Sequence, residues 1–164
     1  MATTFKNAIL DLKLVVNQEL GNTPVIGEPM KIDHLNTYKV LDAGSTPDGE
    51  YAFSGHTAMT GSAVTLDFLD GLVDTEGNTI TLAAGKKVRA IMFKNPSATN
   101  NVTIVGGASN GLLLWGAAGS IILGPGDVNV SYLGSNGVTI DATHTNVDCT
   151  GTNGQYLDWI AVIG

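Results

Sequence analysis

Short apolar runs alternate with breaks that contain glycine, asparagine or proline over most of residues 63–164. The runs are rich in β-branched and large apolar residues, and each is too short to form a packed helix. Five of them follow one another at residues 88–93, 102–105, 112–115, 121–123 and 128–133. This rhythm is typical of an antiparallel all-β domain.

Flanking segments extend the pattern. Residues 63–68 alternate strictly, with Val64, Leu66 and Phe68 on one side and polar residues on the other. Further strands are predicted at residues 79–82, 138–140, around Val147 and at 156–163. The breaks contain Asn-Gly or Pro-Gly pairs, which accept the positive backbone dihedrals of tight turns. About eight to nine strands at this spacing predict a jelly-roll-like antiparallel β-sandwich over residues 62–164.

Residues 1–61 are predicted to form an extended N-terminal arm and a connector. Within residues 5–20 a strand alternation at residues 10–16 and a helical stripe fit equally well. The stripe, a candidate interface, consists of Phe5, Ile9, Leu12 and Val16. The β-branched pair Val15 and Val16 favours a strand, so we expect an arm that pairs with a sheet edge, in this subunit or a neighbouring one. Frequent proline and glycine leave one or two short strands in residues 21–61.

Composition narrows the class of partner. The 164 residues suffice for one domain with a substantial core, and only 14% of them are charged. A net charge of -7 and a pI near 4.6 oppose binding to nucleic acid or to anionic membranes. The single cysteine, Cys149, cannot form an intrachain disulfide, and residues 1–20 lack a signal-peptide pattern. We therefore expect the chain to fold in a cytosol.

Four basic residues gather around one predicted strand, and no Lys or Arg follows them. They are Lys86, Lys87, Arg89 and Lys94. Two interpretations stand: a solvated strand face, or an electrostatic contact with an acidic neighbouring subunit.

Residues 107–111 (GASNG) match the G-x-S-x-G pattern of hydrolases. That motif needs a strand before Ser109 and a helix after it, because the sharp turn between them exposes the hydroxyl. Residues 112–116 read as another strand instead. Ser109 is therefore interpreted as a turn residue, and the chain is predicted not to be an enzyme.

Two polar clusters contain metal-ligand residue types. The first consists of His144, Asp148 and Cys149, and the second of Asp67, Asp70, Asp74 and Glu76. The first lacks a second cysteine or a histidine pair and is interpreted as a polar loop with one semi-buried thiol. The second does not have EF-hand spacing and is interpreted as a solvated turn. No metal or cofactor is predicted.

The large aromatic residues lie within apolar runs, and none stands out as a platform for a sugar. Phe93, Trp115, Tyr132 and Trp159 are therefore predicted to belong to the core.

Several segments in order resemble small virion proteins of tailed phages. They are AVTLDFL at 63–69, KVRAIMFKN at 87–95, NVTI at 101–104, IILGPGD at 121–127 and WIAVIG at 159–164. In those proteins a strand that ends in Asn precedes a "vtv" strand, a Pro-Gly turn and a closing "vxVxG" strand. The resemblance covers about the last hundred residues. Residues 1–61 match no such pattern.

The resemblance implies a capsid decoration, or cement, protein that binds the outside of a phage capsid and stabilises the shell. Its implied partners are the major capsid protein and further copies of the chain, as a dimer or trimer. Its implied location is the virion surface after synthesis in the host cytoplasm. Two alternatives stay open: a tail or fibre module, and a lectin-like β-sandwich that binds carbohydrate.

Overall fold

The computed structural model describes residues 7–18, 30–42, 51–73, 79–134 and 136–164. Regular structure in these ranges is entirely β, which confirms the predicted all-β class. The strands are β1 (Asn7–Gln18), β2 (Met30–Asp42), β3 (Tyr51–Ala58), β4 (Ala63–Asp67), β5 (Leu72–Val73), β6 (Thr79–Ile80), β7 (Lys87–Lys94), β8 (Val102–Gly106), β9 (Ser120–Leu123), β10 (Val128–Tyr132), β11 (Val138–Thr139), β12 (Asn146–Thr150) and β13 (Tyr156–Ile163). None of the described residues forms a helix long and apolar enough to span a membrane.

Eight strands form two antiparallel sheets that enclose one core. One sheet has the order β10-β7-β13-β3, with β11 also paired to β7, and the other has the order β4-β12-β8-β9. Strand β3 pairs with β13, β4 with β12, β7 with β10 and β8 with β9. In chain order, the first of the eight strands therefore pairs with the last, and each later strand pairs inside the previous pair. This nested pairing is a long hairpin folded over on itself. It confirms the predicted jelly-roll-like sandwich.

The core takes side chains from both sheets, and β7 contributes Val88, Ile91 and Phe93, all at most 1% exposed. Strict alternation along a strand cannot place residues 88, 91 and 93 on one face. The pairing of β7 with β13 explains how all three residues face the core, because Ile163 pairs with Val88 while its neighbour Val162 pairs with Ala90. The intervening residue, Arg89, therefore forms a β-bulge that keeps both halves of β7 facing the core.

The N-terminal strands form a separate hairpin. β1 pairs with β2 in antiparallel register, with Leu12 opposite Asn36. The extended form of residues 7–18 is confirmed, and the helical alternative for them is wrong. β1 pairs with β2 rather than with an edge of the sandwich, and β2 is longer than the short strands expected in the connector. Phe5 lies outside the described residues.

Two further predictions need correction. The sandwich includes β3, so it begins before the predicted boundary at residue 62.

Residues 112–115 form only isolated bridges and no strand. Leu112 and Leu114 in this loop are nevertheless buried at 1% and 6% exposure. Their side chains belong to the core cluster, so the run is apolar for a reason that has nothing to do with strand pairing.

Candidate interaction surface

Side chains of the β10-β7-β13-β3 sheet that point away from the core form rows in register, which we call the outer face. The rows are Tyr132–Ala90–Val162–Ala52, Val130–Met92–Ile160–Ser54 and Val128–Lys94–Asp158–His56, with Tyr156 opposite Ala58 beyond them. The first two rows are almost wholly apolar. The third is polar apart from Val128.

Large apolar side chains of the outer face are open to solvent. Tyr132 is 53% exposed, Val128 51% and Ile160 44%. Contiguous exposed apolar surface on a soluble protein is typical of a site that binds another macromolecule. The outer face is therefore the strongest candidate for a protein contact in the described part of the chain.

The placement of Tyr132 corrects the prediction that it belongs to the core. β10 is the edge strand of its sheet, and position 132 pairs with Ala90 on the outer face. Phe93 and Trp159 are buried as predicted. Trp115 is half-buried, lies 6.2 Å from the Phe93 ring and donates from Nε1 to Ser131 Oγ.

Trp159 packs against the core-facing side of this sheet. Its Nε1 donates to Thr57 Oγ1 at 3.0 Å, and its ring meets Phe68 edge-on at 5.7 Å. The ring also covers Gly55 so closely that a Cβ there would lie 2.4 Å from Trp159 Nε1. Because Gly55 has no side chain, the Trp159 indole can pack directly against the backbone of β3.

The four basic residues around β7 do not form one cluster. Lys87 and Lys94 begin and end β7, so their Cα atoms lie about 23 Å apart at the usual rise of a strand. The Lys86 ammonium lies 5.9 Å from the centre of the Tyr51 ring. Lys94 belongs to the polar row, beside Asp158 in the register. The basic residues therefore border the sheet at both ends.

A polar corner lies at the end of the outer face where His56 and Asp158 form part of its third row. His56 Nδ1 hydrogen-bonds to Asp158 Oδ1 at 2.5 Å, and the His56 ring stacks on Tyr156 with centroids 4.2 Å apart and planes inclined by 9°. A pocket of about 390 Å³ opens beside these rings. Ser97 and Asn153, from the β7–β8 and β12–β13 loops, line its other side.

Two buried amides hold the loops beneath this pocket. Asn95, fully buried, donates from Nδ2 to the carbonyl oxygens of Asn100, Leu123 and Gly124 at 2.7, 3.1 and 2.9 Å. Its Oδ1 accepts from Gln155 Nε2 at 3.0 Å. The β7–β8, β9–β10 and β12–β13 connections are thereby joined. Sequence reasoning missed this network and the His56–Asp158 pair, because the partners in each are distant in the chain.

The nucleophile motif has no supporting geometry. No helix follows Ser109 in the described chain; its carbonyl oxygen accepts from Asn146 Nδ2, and the next residue, Asn110, has a φ of 57°. Asn110 tolerates this left-handed turn better than most residues do. The interpretation of Ser109 as a turn residue agrees with this geometry.

The first predicted polar cluster does not converge. Cys149 lies in strand β12 and is fully buried, so the prediction of a semi-buried loop thiol is wrong. Burial raises the pKa of this thiol to about 12, and the nearby Asp148 carboxylate adds to the effect. Asp148 instead accepts from Thr65 Oγ1 and the Ala108 amide on the other side of the strand.

The second cluster is divided among local turns. Asp67 accepts from the Leu69 and Asp70 amides, while Asp70 accepts from the Gly71 amide and Thr81. Asp74 and Glu76 lie outside the described residues. Within the described ranges, no three His, Cys, Asp or Glu residues are grouped as a metal site.

The chain matches no protein-family model, no curated protein and no solved structure.

Proposed function

We propose that this chain is a virion structural protein of a tailed phage, which binds the outside of the capsid and stabilises the shell. The observation that carries the proposal is the outer face, whose in-register apolar rows include the exposed side chains of Tyr132 and Ile160. The resemblance of residues 63–164 to small phage virion proteins implies the major capsid protein as the partner. The proposed role is adhesive and needs no catalytic group.

The adhesive mechanism follows from burial of the outer face. Removing apolar surface from water stabilises a contact by about 25 cal/mol per Å², less the entropy that association costs. Ile160 and Met92 lie at the centre of the apolar rows, where surrounding residues exclude water best. Because the chain would bind only the assembled shell, its binding free energy would add to the stability of that shell.

We also propose that copies of the chain associate with one another. A two-stranded hairpin is marginally stable alone in water, so β1 and β2 are expected to pack against a neighbour. Ile9, Leu12 and Val16 all lie in β1. The net charge of -7 makes a second copy an acidic surface for Lys86, Lys87, Arg89 and Lys94. Several weak contacts then act together on the capsid.

The test compares two exposed isoleucines on opposite sheets. Ile160 lies on the outer face at 44% exposure, and Ile122 lies on β9 of the other sheet at 66%. Purified chain is mixed with capsids assembled without it, and binding is followed by co-sedimentation. Ile160→Asp should weaken binding at least tenfold, about 1.4 kcal/mol, because it places a charge in an apolar contact. Ile122→Asp should bind like the parent.

Two results would contradict the proposal. The first is that the parent chain neither sediments with capsids nor raises the temperature at which they open. The second is that Ile160→Asp binds as well as Ile122→Asp does. Binding to tails or fibres alone would support the alternative of a tail or fibre module.

A further inference from the structure

The polar corner at the His56 end of the outer face offers a binding function that is distinct from the proposed capsid contact of the apolar rows. We infer that the pocket beside His56 and Tyr156 binds a neutral saccharide. The pocket, of about 390 Å³, has the size of a small-ligand site, and it lies where the β7–β8 and β12–β13 loops meet. The inference does not depend on the proposed capsid role.

An aromatic pair supplies the platform. Tyr156 is 45% exposed, and its ring is held by the parallel His56 ring 4.2 Å away. His56 is fixed in turn, because its Nδ1 binds the Asp158 carboxylate. A carboxylate accepts, so Nδ1 carries the hydrogen of this bond, and Nε2 is the ring nitrogen left to hydrogen-bond a ligand. The corner therefore presents aromatic ring surface beside an oriented ring nitrogen that can bind a hydroxyl group.

Most of the other lining residues are polar, and none of them is Lys or Arg. Ser97, Asn100, Thr152 and Asn153 are among the nine described residues that line the pocket. Hydroxyl and amide groups both donate and accept hydrogen bonds, as the hydroxyl groups of a sugar do. An anionic ligand would meet no Lys or Arg in this lining and would lie near Asp158 in a chain of net charge -7. These features select a neutral saccharide.

The floor of the pocket is preorganised. Gln155, only 8% exposed, accepts from the Thr152 amide at 2.9 Å while its Nε2 binds Asn95. Asn153 Oδ1 accepts from the Gly61 amide at 2.9 Å, so the β12–β13 loop is tied to the β3–β4 turn. Loops fixed in advance lose less conformational entropy when a ligand binds.

Saturation-transfer NMR on the isolated chain tests the inference. The probes are glucose, galactose, mannose and N-acetylglucosamine, together with their disaccharides and trisaccharides. At least one should receive saturation from the protein, with a Kd of about 1 mM, as a shallow site with one aromatic platform would give. Amide signals of residues 96–100 and 152–156 should shift in the same titration.

Three variants locate the site. Tyr156→Ala should weaken binding at least tenfold, and Asn100→Ala should weaken it measurably without altering the fold. Tyr132→Ala removes a similarly exposed tyrosine at the far edge of the same sheet and should leave saccharide binding unchanged. Amide spectra of all three should overlay outside the substituted region.

Failure of every saccharide to bind would overturn the inference. So would unchanged binding by both Tyr156→Ala and Asn100→Ala. Equal binding of sialic acid or another anionic sugar would overturn the assignment to neutral saccharides. Because no capsid is present, none of these outcomes bears on the proposed capsid contact.

Discussion

Gly55 lies on the inner side of β3, directly over the Trp159 ring. A Cβ there would lie 2.4 Å from the indole Nε1, 2.5 Å from Cε2 and 2.7 Å from Cζ2, and the indole is itself fixed by Thr57. Gly55→Ala should therefore lower the free energy of unfolding by about 1–3 kcal/mol, the usual cost of overpacking. Urea denaturation measures the change. Ser54→Ala, on the outer face of the same strand, should change it by less than about 0.5 kcal/mol. Equal stability of the two variants would contradict the close contact between Gly55 and the indole.

Hydrogen bonds from Thr143 are the largest causes of a lowered pKa at Asp141, and His144 adds to the effect. The Thr143 hydroxyl and the Thr143 amide donate to Asp141 Oδ1 at 2.7 and 2.8 Å, and the pKa of the carboxyl falls from 3.8 to about 2. A carboxyl whose folded pKa lies below its unfolded value stabilises the fold above about pH 4. This contribution is lost as the pH falls towards 2.

Thr143→Ala should raise the pKa of Asp141 towards its ordinary value, because the hydroxyl hydrogen bond is the largest cause of the shift. Thr143→Ser keeps the hydroxyl and should leave the pKa low. Carbon-detected NMR titration of the Asp141 carboxyl distinguishes the two. An Asp141 pKa that is the same in both variants would show that the hydroxyl is not responsible.

At the scale of elements, Asn95 joins three connections with a single side chain. Asn95→Ala removes the hydrogen bonds from Asn95 Nδ2 to three carbonyl oxygens and the bond that Asn95 Oδ1 accepts from Gln155 Nε2, and a buried polar group left unsatisfied costs about 1–3 kcal/mol. Gln155 Nε2 and the Asn100 and Gly124 oxygens keep other hydrogen bonds, so these costs do not add in full. We expect a loss of about 3 kcal/mol in the free energy of unfolding, measured by urea denaturation. Asn100→Ala keeps the carbonyl that Asn95 binds and should be nearly neutral. A loss below about 1 kcal/mol for Asn95→Ala would contradict a structural role for the network.

The positions of many strands and turns could be predicted from the sequence, because β-branched runs and Asn-Gly or Pro-Gly breaks determine the local backbone conformation. β7, β8 and β13 lie where residues 88–93, 102–105 and 156–163 predicted them. Residues 112–115 were misread because burial in a loop and burial in a strand produce the same apolar run. Tyr132 was misplaced since the run at residues 128–133 does not reveal which face its tyrosine occupies.

At the scale of the whole molecule, the hairpin of β1 and β2 is the proposed means of self-association. The full chain should sediment as a dimer or trimer, and a chain that begins at residue 51 should sediment as a monomer while it keeps the β spectrum of the sandwich. Sedimentation velocity measures both species. A full-length monomer at high concentration would contradict the proposed association.

The candidate sites were harder to predict than the fold. The outer face depends on the register of four strands, in which Val130, Met92, Ile160 and Ser54 form one row although they come from distant parts of the chain. The same holds for His56 and Asp158, which are 102 positions apart. No local pattern encodes such neighbours. The basic residues were found by sequence, but the length of β7 separates them.

We propose that the outer face attaches this jelly roll to a phage capsid. Cryo-electron microscopy of capsids saturated with the purified chain, at a resolution that separates strands, would show which face makes the contact. We expect density for the sandwich on the outside of the shell, with Ile160 and Met92 of the β10-β7-β13-β3 sheet against the major capsid protein. Capsids without this density, or a sandwich bound through the sheet that contains Ile122, would contradict it.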